Sequence, residues 1–133
     1  MSEITRLCMH FGYEVTEEQI NLRLNKLLDN NNNGVFVYES GEEKGYLGGW
    51  VHIYGKQFIE LDYAEIGGLV VDSRFRRQGI GPKLMKKSEE WAKDNGFQEI
   101  RLRSGGQRND THKFYERMGY KNINWQQLYK LRL

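Results

Sequence analysis

The stretch from Leu69 to Leu84, Leu-Val-Val-Asp-Ser-Arg-Phe-Arg-Arg-Gln-Gly-Ile-Gly-Pro-Lys-Leu, constrains the fold more than any other part of the chain. A short apolar run enters an arginine-glycine turn and leaves it as helical sequence, the pattern of a buried strand feeding a helix. A helix start carries unpaired backbone N–H groups and the positive end of the helix dipole, and Gly79 and Gly81 let an anion come close to the backbone. Pro82 falls early in the helix, where its missing N–H costs least. Arg76 and Arg77 add directional donors that suit phosphate oxygens. The turn reads as an anion cradle, against the plainer alternative of a tight turn with solvated arginines. It is not a Walker loop, because Gly81 is followed by Pro82 and Lys83, and it lacks the third glycine of a dinucleotide fingerprint, having Leu84 there.

The rest of the chain arranges itself around this unit. Residues 2 to 11 are weakly periodic and predict a helix. In Val15-Thr-Glu-Glu-Gln-Ile20, Thr16 and Gln19 form a capping box and Val15 can staple onto Ile20. Ile20, Leu24, Leu27 and Leu28 then give that second helix one buried face, and Asn30 to Gly34 stop it. Val35 to Tyr38, Gly45 to Tyr54 and Phe58 to Val71 are rich in β-branched and aromatic residues and predict three consecutive antiparallel strands. Ile80 to Asn95 is helical with Leu84 and Trp91 inward, Gln98 to Arg103 a short strand, Asp110 to Met118 a helix ending at Gly119, and Tyr120 to Leu133 a terminal pair of strands. The pair of strands around Ile80 to Asn95 should run parallel, inside a mostly antiparallel sheet flanked by helices.

Length and composition narrow the function classes. The chain has 133 residues and 15.7 kDa, with 38% apolar and 29% charged residues, which predicts one globular domain over 1–133. Twenty Lys and Arg against eighteen Asp and Glu leave a net charge of only +2, which argues against a dedicated nucleic-acid binder. No segment has the length and apolarity of a membrane span, and the lone Cys8 cannot form an internal disulfide, so the expected setting is cytoplasmic. Cys8, His10 and His52 are too scattered for a metal site, and none is expected.

Arg76-Arg-Gln-Gly79-Ile-Gly81 resembles the Arg/Gln-x-x-Gly-x-Gly/Ala signature of the GNAT superfamily of acetyl-CoA-dependent N-acetyltransferases. Upstream, Tyr63-Ala-Glu65-Ile-Gly-Gly-Leu-Val-Val71 resembles that family's fourth strand. Downstream, His112-Lys-Phe-Tyr115-Glu-Arg-Met-Gly119-Tyr resembles its last helix. The resemblance implies an α/β domain of GNAT type that uses acetyl-CoA as co-substrate and acetylates a primary amine by direct attack. It implies that Leu69, Val70 and Val71 meet the pantetheine arm through their backbone, beside Gly67 and Gly68, and that Arg76, Arg77, Gln78, Gly79, Ile80 and Gly81 hold the pyrophosphate. Many relatives place an asparagine seven residues before the helix tyrosine. Here that position is Arg108, and Asn109 is the candidate substitute.

Two side chains match catalytic positions of the family. Glu65 is the candidate base that frees the amine, with a strand carboxylate facing solvent or paired to an arginine as the alternative. Tyr115 is the candidate acid for the departing thiolate, with a core aromatic beside Phe114 as the alternative. The acceptor is the least determined part: Trp50, His52 and Tyr54 share one strand face, which either lines a pocket or packs beneath helices. Aminoglycosides, polyamines, amino acids and protein N-termini all remain open as acceptors. Relatives usually begin with a strand, whereas Ser2 to Leu7 read as part of the first helix. Val35 to Tyr38 is then a sheet edge, to be covered by another segment or by a second copy in a homodimer. A non-catalytic acyl-CoA sensor on the same fold is the main rival reading, and a small nucleic-acid binder a distant third.

Overall fold

A computed structural model describes residues 2–39, 45–75, 78–103, 109–123 and 127–133. The chain divides into two compact units, Met1–Arg103 and Ser104–Leu133.

In the first unit, α1 (Glu3–Phe11) begins at Ser2, whose side chain accepts from the Thr5 N–H, and ends at Gly12 with φ 103°. α2 (Glu17–Leu28) starts with the capping box of Thr16 and Gln19. Its apolar face is less buried than the periodicity predicts: Ile20, Leu24 and Leu27 are half-buried and Leu28 is exposed. The reason is position, because α2 packs on the outermost strand and on α1 and has no layer over it.

The sheet runs β1 (Asn33–Glu39), β2 (Leu47–Gln57), β3 (Asp62–Val71) and β4 (Ile100–Leu102), in that spatial order. The first three are antiparallel and β4 joins β3 in parallel, as α3 (Ile80–Asp94) returns the chain between them. The third predicted strand is shorter than expected. Phe58 to Leu61 form the hairpin turn, where the Phe58 N–H donates to the Leu61 carbonyl at 2.9 Å, and pairing starts at Asp62. The second begins at Leu47 rather than Gly45 and runs on to Gln57.

The core on the α3 side lies between the sheet and that helix, where Val51, Ile53, Ile80, Leu84 and Met85 are almost fully buried. Gly49 admits this packing, since a Cβ there would lie 2.8 Å from the Val70 carbonyl oxygen. The opposite face carries Trp50, His52, Tyr54 and Lys56, alternating with the core residues of β2, and α1 packs there through Leu7 and Cys8. Among the described residues β1 pairs with β2 alone and is a sheet edge, as expected.

In the second unit, α4 (Asn109–Arg117) is followed by Gly119 at φ 96°. The expected terminal strands are absent from the described residues 120–123 and 127–133, where Ile123, Leu128, Tyr129, Leu131 and Leu133 are exposed. Apolar content raised the strand expectation there, but strand propensity reflects packing on neighbours, and these side chains are exposed.

Candidate active site

The site is built where β3 parts from β4. The two strands pair from Ala64 with Ile100 to Ile66 with Leu102, and β3 continues alone on that side to Val71. Its backbone at Gly67 to Val71 is therefore unpaired toward β4 among the described residues, an edge able to bond an extended amide-bearing ligand. Leu69, Val70 and Val71 all lie on this free segment. At the first residue of that segment β3 bulges: His52 pairs with Gly68 and Ile53 with Ile66, leaving Gly67 as the extra residue.

Beyond Val71 the chain makes a short turn (Ser73–Phe75) and enters α3 at Gly79. Gly79 has φ 76°, a left-handed conformation that a side chain would strain, and gives the helix no side-chain cap. The first turn of α3 also has no acidic residue, so its free N–H groups and dipole are uncompensated. Gln78 is exposed, while Ile80 and Gly81 are buried. Arg76 and Arg77 lie outside the described residues. An anion at this helix start and an extended arm along Gly67 to Val71 would belong to one ligand, because the same strand leads into the same helix.

Asp72 holds that junction. Its carboxylate is buried, accepts from Arg6 at 2.9 Å, from the Tyr46 hydroxyl at 3.2 Å and from the Arg74 backbone N–H at 3.0 Å. Burial raises its pKa, but the Arg74 N–H and the Arg6 guanidinium outweigh this and hold it below the usual range. Arg6 also donates to the Leu47 carbonyl and pairs with Glu3. This clasp was not legible in the sequence, since Arg6 and Asp72 stand 66 residues apart.

Glu65 sits on β3 opposite Tyr54 and is only 5% exposed. Its Oε2 accepts from the Tyr54 hydroxyl at 2.6 Å and from Lys56 Nζ at 3.0 Å, and Arg103 Nε stands 3.4 Å from Oε1. Burial pushes its pKa up, yet Tyr54, Lys56 and Arg103 together keep it lowered. Burial and the carboxylate push the Tyr54 hydroxyl up to about 12. Among the described residues Oε1 is buried without a hydrogen bond. The expected arginine pairing is thus present together with an open acceptor. Lys56 was missed, although its spacing from Tyr54 places both on one strand face.

His52 stacks on Tyr54, with ring centroids 5.2 Å apart, and its Nε2 lies 2.9 Å from Asn33 Oδ1. Burial lowers its pKa. The face of Trp50, His52 and Tyr54 is therefore half-buried rather than sealed beneath helices.

In the second unit Asn109 opens α4. Tyr115 is half-buried on the same helix, with ring centroids 5.1 Å from Phe114 and 6.0 Å from Tyr120. Among the described residues no group of His, Cys, Asp and Glu could hold a metal ion, and no helix is long and apolar enough to cross a membrane.

This architecture is a splayed mixed sheet whose third strand delivers a glycine-capped helix. Residues 1–120 match the acetyltransferase (GNAT) family, and the chain belongs to that family. It is 32% identical over 98 residues to an uncharacterised N-acetyltransferase of Methanocaldococcus jannaschii, covering 71% of this chain and 42% of that protein. The chain spans about two-fifths of the length of the curated relatives it matches. Its fold is similar to that of a GNAT family acetyltransferase of Staphylococcus aureus (TM-score 0.77, 24% identity, 97% of this chain and 87% of the other). It is also similar to AAC(6')-Iy, solved in complex with a bisubstrate analogue (TM-score 0.85, 14% identity, 98% and 90%).

Proposed function

We propose that this chain is an acetyl-CoA-dependent N-acetyltransferase acting on a primary amine of a small molecule. The observation that carries the reading is the continuity of the free edge of β3 at Gly67 to Val71 with the uncapped start of α3 at Gly79. The edge offers backbone bonds to the pantetheine amides and the helix start, with Arg76, Arg77 and Gln78, offers donors to the pyrophosphate. Bound there, acetyl-CoA supplies the electrophilic thioester. Binding energy from these remote contacts fixes the reacting groups without entering the bond making.

In this reading Glu65 receives an N–H of the acceptor, directly or through water, at its open Oε1. Tyr115 protonates the departing thiolate, and Asn109 contacts the pantetheine arm; both roles rest on the family resemblance. The open edge of β1 supports a homodimer, which light scattering tests as a doubled mass.

The test is thiol release from acetyl-CoA in the presence of kanamycin, spermidine or lysine, followed by product mass spectrometry, with acetyl-CoA affinity measured by calorimetry. An enzyme shows acceptor-dependent release and a product heavier by one acetyl group. Affinity without release is the behaviour of a sensor. Gly81→Val should abolish binding and leave the folded state intact.

A further inference from the structure

We propose that His52 is the proton acceptor of the transfer, taking at Nδ1 the proton that the acceptor's ammonium must lose. The inference rests on the acetyltransferase reading above and deepens it at the same site.

Three features of the geometry converge on Nδ1. With Nε2 donating to Asn33 Oδ1 at 2.9 Å, the neutral ring keeps its lone pair on Nδ1, which has no partner among the described residues. That atom faces the bulge at Gly67: a Cβ there would lie 2.7 Å from it and 3.2 Å from the Tyr54 ring, so a side chain at position 67 would press on Nδ1 and only glycine leaves that atom uncovered from the strand. The bulge in turn is the first residue past the last pairing of β3 with β4, the start of the edge assigned to the cofactor arm.

The chemistry of the neighbours favours His52 over Glu65 for this step. Glu65 carries two cations and a phenol and is held below its already low pKa, which makes it a poor base toward an ammonium. His52 has an ordinary pKa nearer that of an amine, and burial alone lowers it, so the ring is neutral at pH 7. The groups around its ring are Asn33 of β1, Trp50 and Tyr54 of β2, Gly67 and Gly68 of β3, and, beyond Tyr54, Glu65 with Lys56 and Arg103; α1 presents Cys8, a buried thiol raised by burial, beside Trp50.

The ammonium gives one proton to Nδ1, and the freed lone pair forms the C–N bond at the thioester carbonyl. Collapse breaks the C–S bond. The second nitrogen proton reaches the thiolate through water, and the imidazolium later releases its proton to solvent. The products are the acetamide, the free thiol and one proton.

His52→Gln keeps a donor for Asn33 and removes Nδ1. With the best acceptor of the panel, turnover should fall about a hundred-fold and the acidic limb of the pH profile should disappear, while acetyl-CoA affinity stays within about two-fold. Added imidazole should restore part of the rate. Nitrogen NMR of the wild-type chain should show His52 neutral at pH 7 and protonated on Nε2. Retention of the rate and limb in the variant overturns the inference and leaves the transferase reading standing, as does a ring protonated on Nδ1 at pH 7. Absence of acceptor-dependent thiol release in the wild type overturns both. Should the variant not fold, the tautomer measured in the wild type decides alone.

Discussion

Asp72 and Glu65 are both buried carboxylates, seven positions apart, the first just past the end of β3 and the second within it, and both have lowered pKa values beside cations. They differ in completeness. Asp72 has partners on both oxygens, reached from α1, the start of β2 and its own turn, and it closes the junction that feeds α3. Glu65 uses Oε2 for Tyr54 and Lys56, while Oε1 has the Arg103 ion pair at 3.4 Å but, among the described residues, no hydrogen bond. A satisfied buried carboxylate stiffens a fold, whereas an unsatisfied one is costly and persists where something else completes it. Pairing alone therefore does not identify a structural residue. The count of used lone pairs separates clasp from site.

The sharpest way to break this comparison is Asp72→Ala, which takes the shared buried acceptor from Arg6, the Tyr46 hydroxyl and the Arg74 N–H and should cost about 3 kcal/mol in chemical denaturation. An unchanged midpoint would remove the clasp. Glu65→Gln should behave in the opposite manner. Lys56 and Arg103 are partly solvated, so stability should change by about 1 kcal/mol or less, while kcat/KM falls about ten-fold. Equal destabilisation of the two would erase the distinction.

Acid sharpens it further. Both pKa values are lowered in the folded chain, so their stabilisation is full above the unfolded carboxylate pKa of about 4 and is lost as pH falls through the folded values. Stability measured between about pH 5 and 2 should drop, and Asp72→Asn should flatten that slope. The smallest effect is expected for Lys56→Gln, below about 1 kcal/mol, accompanied by a rise in the Glu65 pKa that carbon NMR of the carboxyl would register.

The candidate site was legible wherever its signal was a run of neighbouring residues. The turn from Val71 to Gly81 declared a strand entering a helix with a bare start, and Gly79 at the cap bears this out. Glu65 was found by resemblance, and its arginine partner was foreseen only as a type of residue. Its actual company, Lys56, Tyr54 and Arg103, comes from two other strands or their ends. The overextended third strand and the missing terminal pair have one cause. Phe58, Ile59, Leu61, Leu128 and Leu131 are apolar yet exposed, and an apolar run does not say whether a partner strand exists.

By itself the sequence determined the order of elements, their caps and the chain's resemblance to a family. Each of these depends on interactions within a few residues: Ser2 with Thr5, Thr16 with Gln19, and glycine at φ values that other residues avoid. Tertiary structure alone decided which polar groups meet. The bulge at Gly67 resets the register of β2 on β3, setting Tyr54 against Glu65 and bringing a residue without a side chain against His52 Nδ1. Alternation tells which face a strand residue occupies, but the partner across the sheet is fixed by register, and register is the joint outcome of all the strands packing at once.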